Sequence, residues 1–77
     1  MSANERVRIE IGFEGGPIMG AHVPAEDAER LERQLASGSG GTVELDLEDG
    51  RCLIALSRVL YVKRFSKESR VGFGGSG

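Results

Sequence analysis

The sequence predicts an α+β fold of order β-β-α-β-β-β, a mostly antiparallel twisted sheet with one helix packed on one face. Three observations carry that expectation. Arg6 to Phe13 alternates apolar and charged residues, Ala25 to Ala36 carries its apolar residues at helical spacing, and Thr42 to Leu56 is two alternating runs about Asp49-Gly50. A period of two marks half-buried strands, and a period of three to four marks an amphipathic helix.

In the first strand Val7, Ile9, Ile11 and Phe13 fall on one side, Arg6, Arg8 and Glu10 on the other. Glu14-Gly15-Gly16 supplies a turn, and Pro17 to Val23 returns as a second strand, weakened at Gly20. Pro17 stands at the first position, where a strand tolerates it. Pro24 suits the first turn of a helix, since its missing N–H would be unpaired there in any residue. Ala28, Leu31 and Leu35 then form a narrow stripe, and Glu26, Asp27 and Glu29 crowd the positive end of the helix dipole. Glu26–Arg30 and Glu29–Arg33 stand at i,i+4 spacing, which adds a little support. Ser37-Gly38-Ser39-Gly40-Gly41 ends the helix with a glycine cap and a flexible connector.

Asp-Gly suits a two-residue type I′ turn, where both central residues need positive φ. Closing the hairpin on Asp49-Gly50 pairs Leu47 with Cys52, Leu45 with Ile54 and Val43 with Leu56 on one face. Asp46 then opposes Leu53, and Glu44 opposes Ala55, on the other. After the corner Leu56-Ser57-Arg58, Val59 to Phe65 reads as the last strand. Strict alternation sets Val59, Tyr61 and Phe65 on one face and Leu60 and Val62 on the other. Apolar residues front and back imply cover on both sides, and one helix covers one. An exposed face of Leu53, Leu60 and Val62 is the expected interface, since such patches mark contact surfaces. Five short strands allow either an open sheet or one curled towards a small barrel.

The chain has 77 residues, room for one domain with a small core. We expect a disordered N-terminus over 1–5, the domain over 6–65 and a flexible tail over 66–77, of which 74–77 resembles a linker or vector-derived remnant. Such a small domain gains from disulfides, metals or self-association. The lone Cys52 excludes an internal disulfide, and one Cys with one His disfavours a tetrahedral zinc site. Self-association is left. Cys52 itself is read as a small inward-facing hydrophobe rather than a reactive thiol. A net charge of −2 from mixed acids and bases gives no overall preference for nucleic acid or anionic membranes. No secretory leader or membrane-spanning run is apparent, so the expected setting is the cytoplasm.

The opening VRIEIGF and the closing IALSRVLYVKR, with a glycine-turn hairpin between helix and last strand, resemble a family of small uncharacterised actinobacterial proteins. In that family the last strand ends in an "I-x-Y-V-E"-like run; here Val59-Leu60-Tyr61-Val62-Lys63 stands in its place, with Lys63 at the expected acid. The resemblance spans roughly Val7 to Arg64. It implies the fold and a bacterial cytoplasmic setting, and no activity.

Few residues suggest chemistry. Gly12-Phe13-Glu14-Gly15-Gly16 lacks the Lys-Ser/Thr of a phosphate loop and leads into a strand, so a hairpin turn explains it. His22 has no nucleophile or acid at a partnering distance in sequence and reads as a surface histidine. Glu44, Asp46, Glu48 and Asp49 lack the glycine spacing of a calcium loop, and a solvated strand face that discourages edge pairing accounts for them. The C-terminal segment from Arg58 to Val71 differs: it sets five bases against the single acid Glu68. Arg58, Lys63, Arg64, Lys67 and Arg70, with Phe65 among them, are candidate nucleic-acid contacts, because bases stack on aromatics and phosphates seek cations. The function expected first is a non-enzymatic module that self-associates or docks on a protein partner. The alternative is an RNA- or DNA-binding module. No cofactor, metal, catalytic residue or small-molecule substrate is expected.

Overall fold

A computed structural model of the chain describes residues 5–65. The element order is the expected one, and the five strands are antiparallel, but they form two sheets with no closed barrel. Strand β1 (Arg6–Phe13) lies at the centre of a three-stranded sheet of order β2-β1-β5, flanked by β2 (Ile18–Pro24) and β5 (Val59–Arg64). The hairpin of β3 (Thr42–Leu47) and β4 (Gly50–Ala55) is the second sheet. The expectations for residues 1–4 and 66–77, including Lys67 and Arg70, lie outside the described residues.

The alternation of β1 works as read: Ile9 and Ile11 are fully buried while Arg8 is exposed. In the turn to β2, Gly15 and Gly16 take φ of 92° and 111°, values that side chains disfavour. Phe13 and Pro17 close it, the Phe13 N–H donating to the Pro17 carbonyl at 2.9 Å.

Pro24 ends β2 and caps helix α1 (Ala25–Ser37), whose first N–H donates to the Glu5 carbonyl at 3.0 Å. Gly38 closes the helix with φ 69°, its N–H donating to the Leu35 carbonyl. The stripe faces inward, with Ala28 and Leu31 fully buried and Leu35 packed beside them. The i,i+4 pairs do not form. Arg30 instead donates to Asp27 at 2.7 Å, and among the described residues no ion pair joins Glu29 to Arg33. Asp27 draws Arg30 because it is fixed in place: it is only 6% exposed, and its other oxygen accepts the Asp46 N–H at 2.9 Å.

Hairpin parity is as expected; its register is not. Leu45 faces Cys52, Val43 faces Ile54 and Leu47 faces Gly50, so the turn residues are Glu48 and Asp49. Among the described residues none other than glycine has positive φ, so Asp49 does not enter the conformation a type I′ turn demands. Within the hairpin Gly50 has a positive φ, 149°, and it stands outside the turn as the first residue of β4. A two-residue slip preserves which face each side chain occupies. Val43, Leu45, Ile54 and Leu56 therefore still point inward.

Sheet, helix and hairpin share one core, with Ile9, Ile11 and Val23 from the sheet meeting Leu31 of α1 and Leu45 of β3. Arg6 ties the two sheets, its guanidinium donating to the carbonyls of His22 and Asp46, each at 2.9 Å. Asp46 is thus held from both sides. Among the described residues no helix is long and apolar enough to cross a membrane.

Candidate interaction surface

The last strand departs from simple alternation. Phe13 pairs with Val59 and Gly12 with Tyr61, which leaves Leu60 as the extra residue of a β-bulge. Past the bulge the faces exchange. Val62 lies opposite the buried Ile11 and packs against the core, and Arg64 lies opposite Ile9. Tyr61, Lys63 and Phe65 turn to the side away from the helix. Strict alternation had placed Leu60 and Val62 together; the bulge separates them.

The side of the three-stranded sheet that faces α1 and the hairpin holds the core. Its other side carries none of the described elements, and paired residues form short rows across it. Ile18, Gly12 and Tyr61 make the first row, with Leu60 beside it; Gly20, Glu10 and Lys63 make the second. His22 and Arg8 make the third, continued by Phe65, whose N–H donates to the Arg8 carbonyl at 2.9 Å. Ile18, Leu60 and Tyr61 remain 61%, 64% and 42% exposed.

Two local arrangements shape this face. The Tyr61 ring lies directly on the Gly12 backbone, where a Cβ would collide with the ring. A strand glycine otherwise leaves a hollow, and the cross-strand tyrosine fills it, one ring face down and the other outward. Phe65 sits near two cations, with the Arg8 guanidinium 5.1 Å and the Lys63 ammonium 4.7 Å from its ring centre. Cation–π attraction holds both there. Neither Arg8 nor Lys63 makes an ion pair among the described residues, whereas Arg6, Arg30, Arg51, Arg58 and Arg64 each do.

The expected site residues are distributed unevenly. Lys63 and Phe65 are together on the open face. Arg58 is exposed and pairs with Glu14 at 3.5 Å. Arg64 is drawn to the helix side by a two-pronged pair with Glu32 at 2.8 and 3.0 Å. That hydrogen bond is the main reason its guanidinium is held more firmly protonated than usual. Of the expected apolar triad, Leu60 borders the open face. Leu53 is 69% exposed on the outer side of β4, in the other sheet, and Val62 belongs to the core side. Arg8 and Ile18 were not among the expected site residues. Their signal was present in the alternation of β1 and in the β1–β2 pairing.

Other candidates keep their plain readings. Cys52 is half-buried beside the core. Glu44 pairs with Arg51 at 2.8 Å and Asp46 with Arg6 at 3.5 Å, on the outer side of β3. His22 is exposed on β2 opposite Arg8. No family model, no curated protein and no solved structure matches this chain.

Proposed function

We propose that this chain is a non-enzymatic interaction module of the bacterial cytoplasm that self-associates or docks on a protein partner through the open face of β2-β1-β5. The observation that carries the reading is the exposed apolar row Ile18, Tyr61 and Leu60 on a sheet face that neither the helix nor the hairpin covers. A small domain whose core lies on one side of a sheet gains most by hiding the other side against a second surface. Sedimentation velocity over a micromolar concentration series tests the reading. Association weakened by Leu60→Lys supports it, and a strict monomer that captures no protein removes it.

A second reading, binding to single-stranded nucleic acid, is favoured by one observation: Arg8 and Lys63, neither in an ion pair among the described residues, gather at Phe65 on the same face as the outward ring of Tyr61. Phosphates would meet the cations and a base would stack on Tyr61. Here Arg8→Glu with Lys63→Glu is the informative pair, because Arg64 is engaged with Glu32. A salt-sensitive gel shift abolished by that pair supports this reading, and no shift at low salt with mixed-sequence strands excludes it.

A further inference from the structure

The chain carries two outward surfaces of complementary character, and we infer that it associates head to tail, the open sheet face of one copy receiving the outer side of the hairpin of the next. The inference rests on the self-association reading and names the second surface. The sheet face offers an apolar row beside two cations, Arg8 and Lys63, that make no ion pair among the described residues and outnumber the one acid of their rows, Glu10. The hairpin, residues 42–55, offers the converse. It carries four acids, Glu44, Asp46, Glu48 and Asp49, against the single base Arg51. Glu48 and Asp49, at the turn, make no ion pair among the described residues. On the outer side of β4 Leu53, opposite Glu44, is exposed to 69%. Each surface thus joins exposed apolar area to unneutralised charge, and the charges are opposite in sign.

Geometry favours unlike surfaces meeting. The outer side of β4 points away from the core, so one subunit cannot bring Leu53 to its own sheet face, although Glu48 and Asp49 share a pocket with Gly20 and His22 at the β2 edge. Sheet face against sheet face would set two surfaces of net positive charge on each other, Arg8 and Lys63 outnumbering Glu10 on each. Hairpin against hairpin would do the same with carboxylates, and like charges in contact oppose association. Sheet face against hairpin sets cations on acids and Ile18, Leu60 and Tyr61 on Leu53. A contact between different patches is heterologous and propagates until it closes into a ring.

Two variants at exposed positions test this in the full chain. Arg8→Glu with Lys63→Glu spoils the sheet face, and Glu48→Lys with Leu53→Lys spoils the hairpin face; far-UV circular dichroism checks that both fold. By sedimentation velocity each variant alone is expected to stay monomeric where the natural sequence assembles. An equimolar mixture of the two is expected to form a one-to-one complex, because each retains the surface the other lacks. Assembly should also weaken as salt rises. Self-assembly by either variant alone as strongly as the natural sequence, or a mixture that stays monomeric, would overturn head-to-tail association while leaving self-association standing. A natural chain that never assembles removes the underlying reading as well, and assembly that disappears on nuclease treatment assigns the sheet face to nucleic acid instead.

Discussion

Gly12, Asp27 and Arg64 each act through one well-defined contact, and each can be tested alone. At Gly12 even a methyl group collides with the Tyr61 ring. Gly12→Ala should lift the ring off the sheet and cost ~1 kcal/mol, the upper range for one cross-strand pair. Tyr61 is the sole tyrosine and there is no tryptophan, so acrylamide quenching of its fluorescence reports the displacement directly. Asp27 should matter more. Its buried carboxylate joins helix and hairpin by accepting from Arg30 and from the Asp46 N–H. Asp27→Ala should lower the stability measured by urea unfolding by ~1–3 kcal/mol, whereas an exposed acid such as Glu26→Ala should change it little. Arg64 has a raised folded pKa through its bond to Glu32. A base raised in this way stabilises the fold fully below its ordinary value, which lies far into the alkaline range, and loses that contribution only above it. Arg64 therefore adds no slope of its own to stability between pH 6 and 9, and titration of Arg64→Met against the natural chain should show parallel curves there. The pair is partly exposed, so the constant offset should stay within about 1 kcal/mol.

The elements themselves were largely legible, and the misses have local causes. Strand β1, helix α1 and the inward side of the hairpin follow from alternation and spacing, which burial enforces. The hairpin register did not follow, because Asp-Gly can place its glycine inside the turn or one position after it. Both arrangements bury Val43, Leu45 and Ile54, so hydrophobic pattern cannot choose between them. The bulge at Leu60 was hidden for a related reason. Val59-Leu60-Tyr61-Val62 is apolar throughout, and an extra residue in such a run leaves no break in the pattern. The contrast it creates is measurable. Val62→Asp, on the core side, should destabilise the fold by ~2–3 kcal/mol, whereas Leu60→Asp should fall within about 0.5 kcal/mol of the natural chain. Equal losses in urea unfolding would return both residues to one face.

For the whole molecule, the sequence pointed to an uncovered apolar side, but of the members expected there Leu60 alone borders it, Leu53 being exposed on the other sheet and Val62 packed on the core. Tyr61 and Phe65 stand where Val62 was expected, and Arg8 and Ile18 join them from strands distant in sequence. Contacts of that range depend on strand order, and order β2-β1-β5 cannot be inferred from local periodicity. The asymmetry itself survived, because one helix and one hairpin cover only one side of three strands. The central claim is that this open side is a contact surface, and sedimentation velocity of the full chain from low to high micromolar concentration tests it most directly. Reversible association that Leu60→Lys weakens about tenfold, equivalent to ~1.4 kcal/mol, is the expected result. A single monomeric species at every concentration, unchanged by Leu60→Lys and retaining no protein partner, would contradict it.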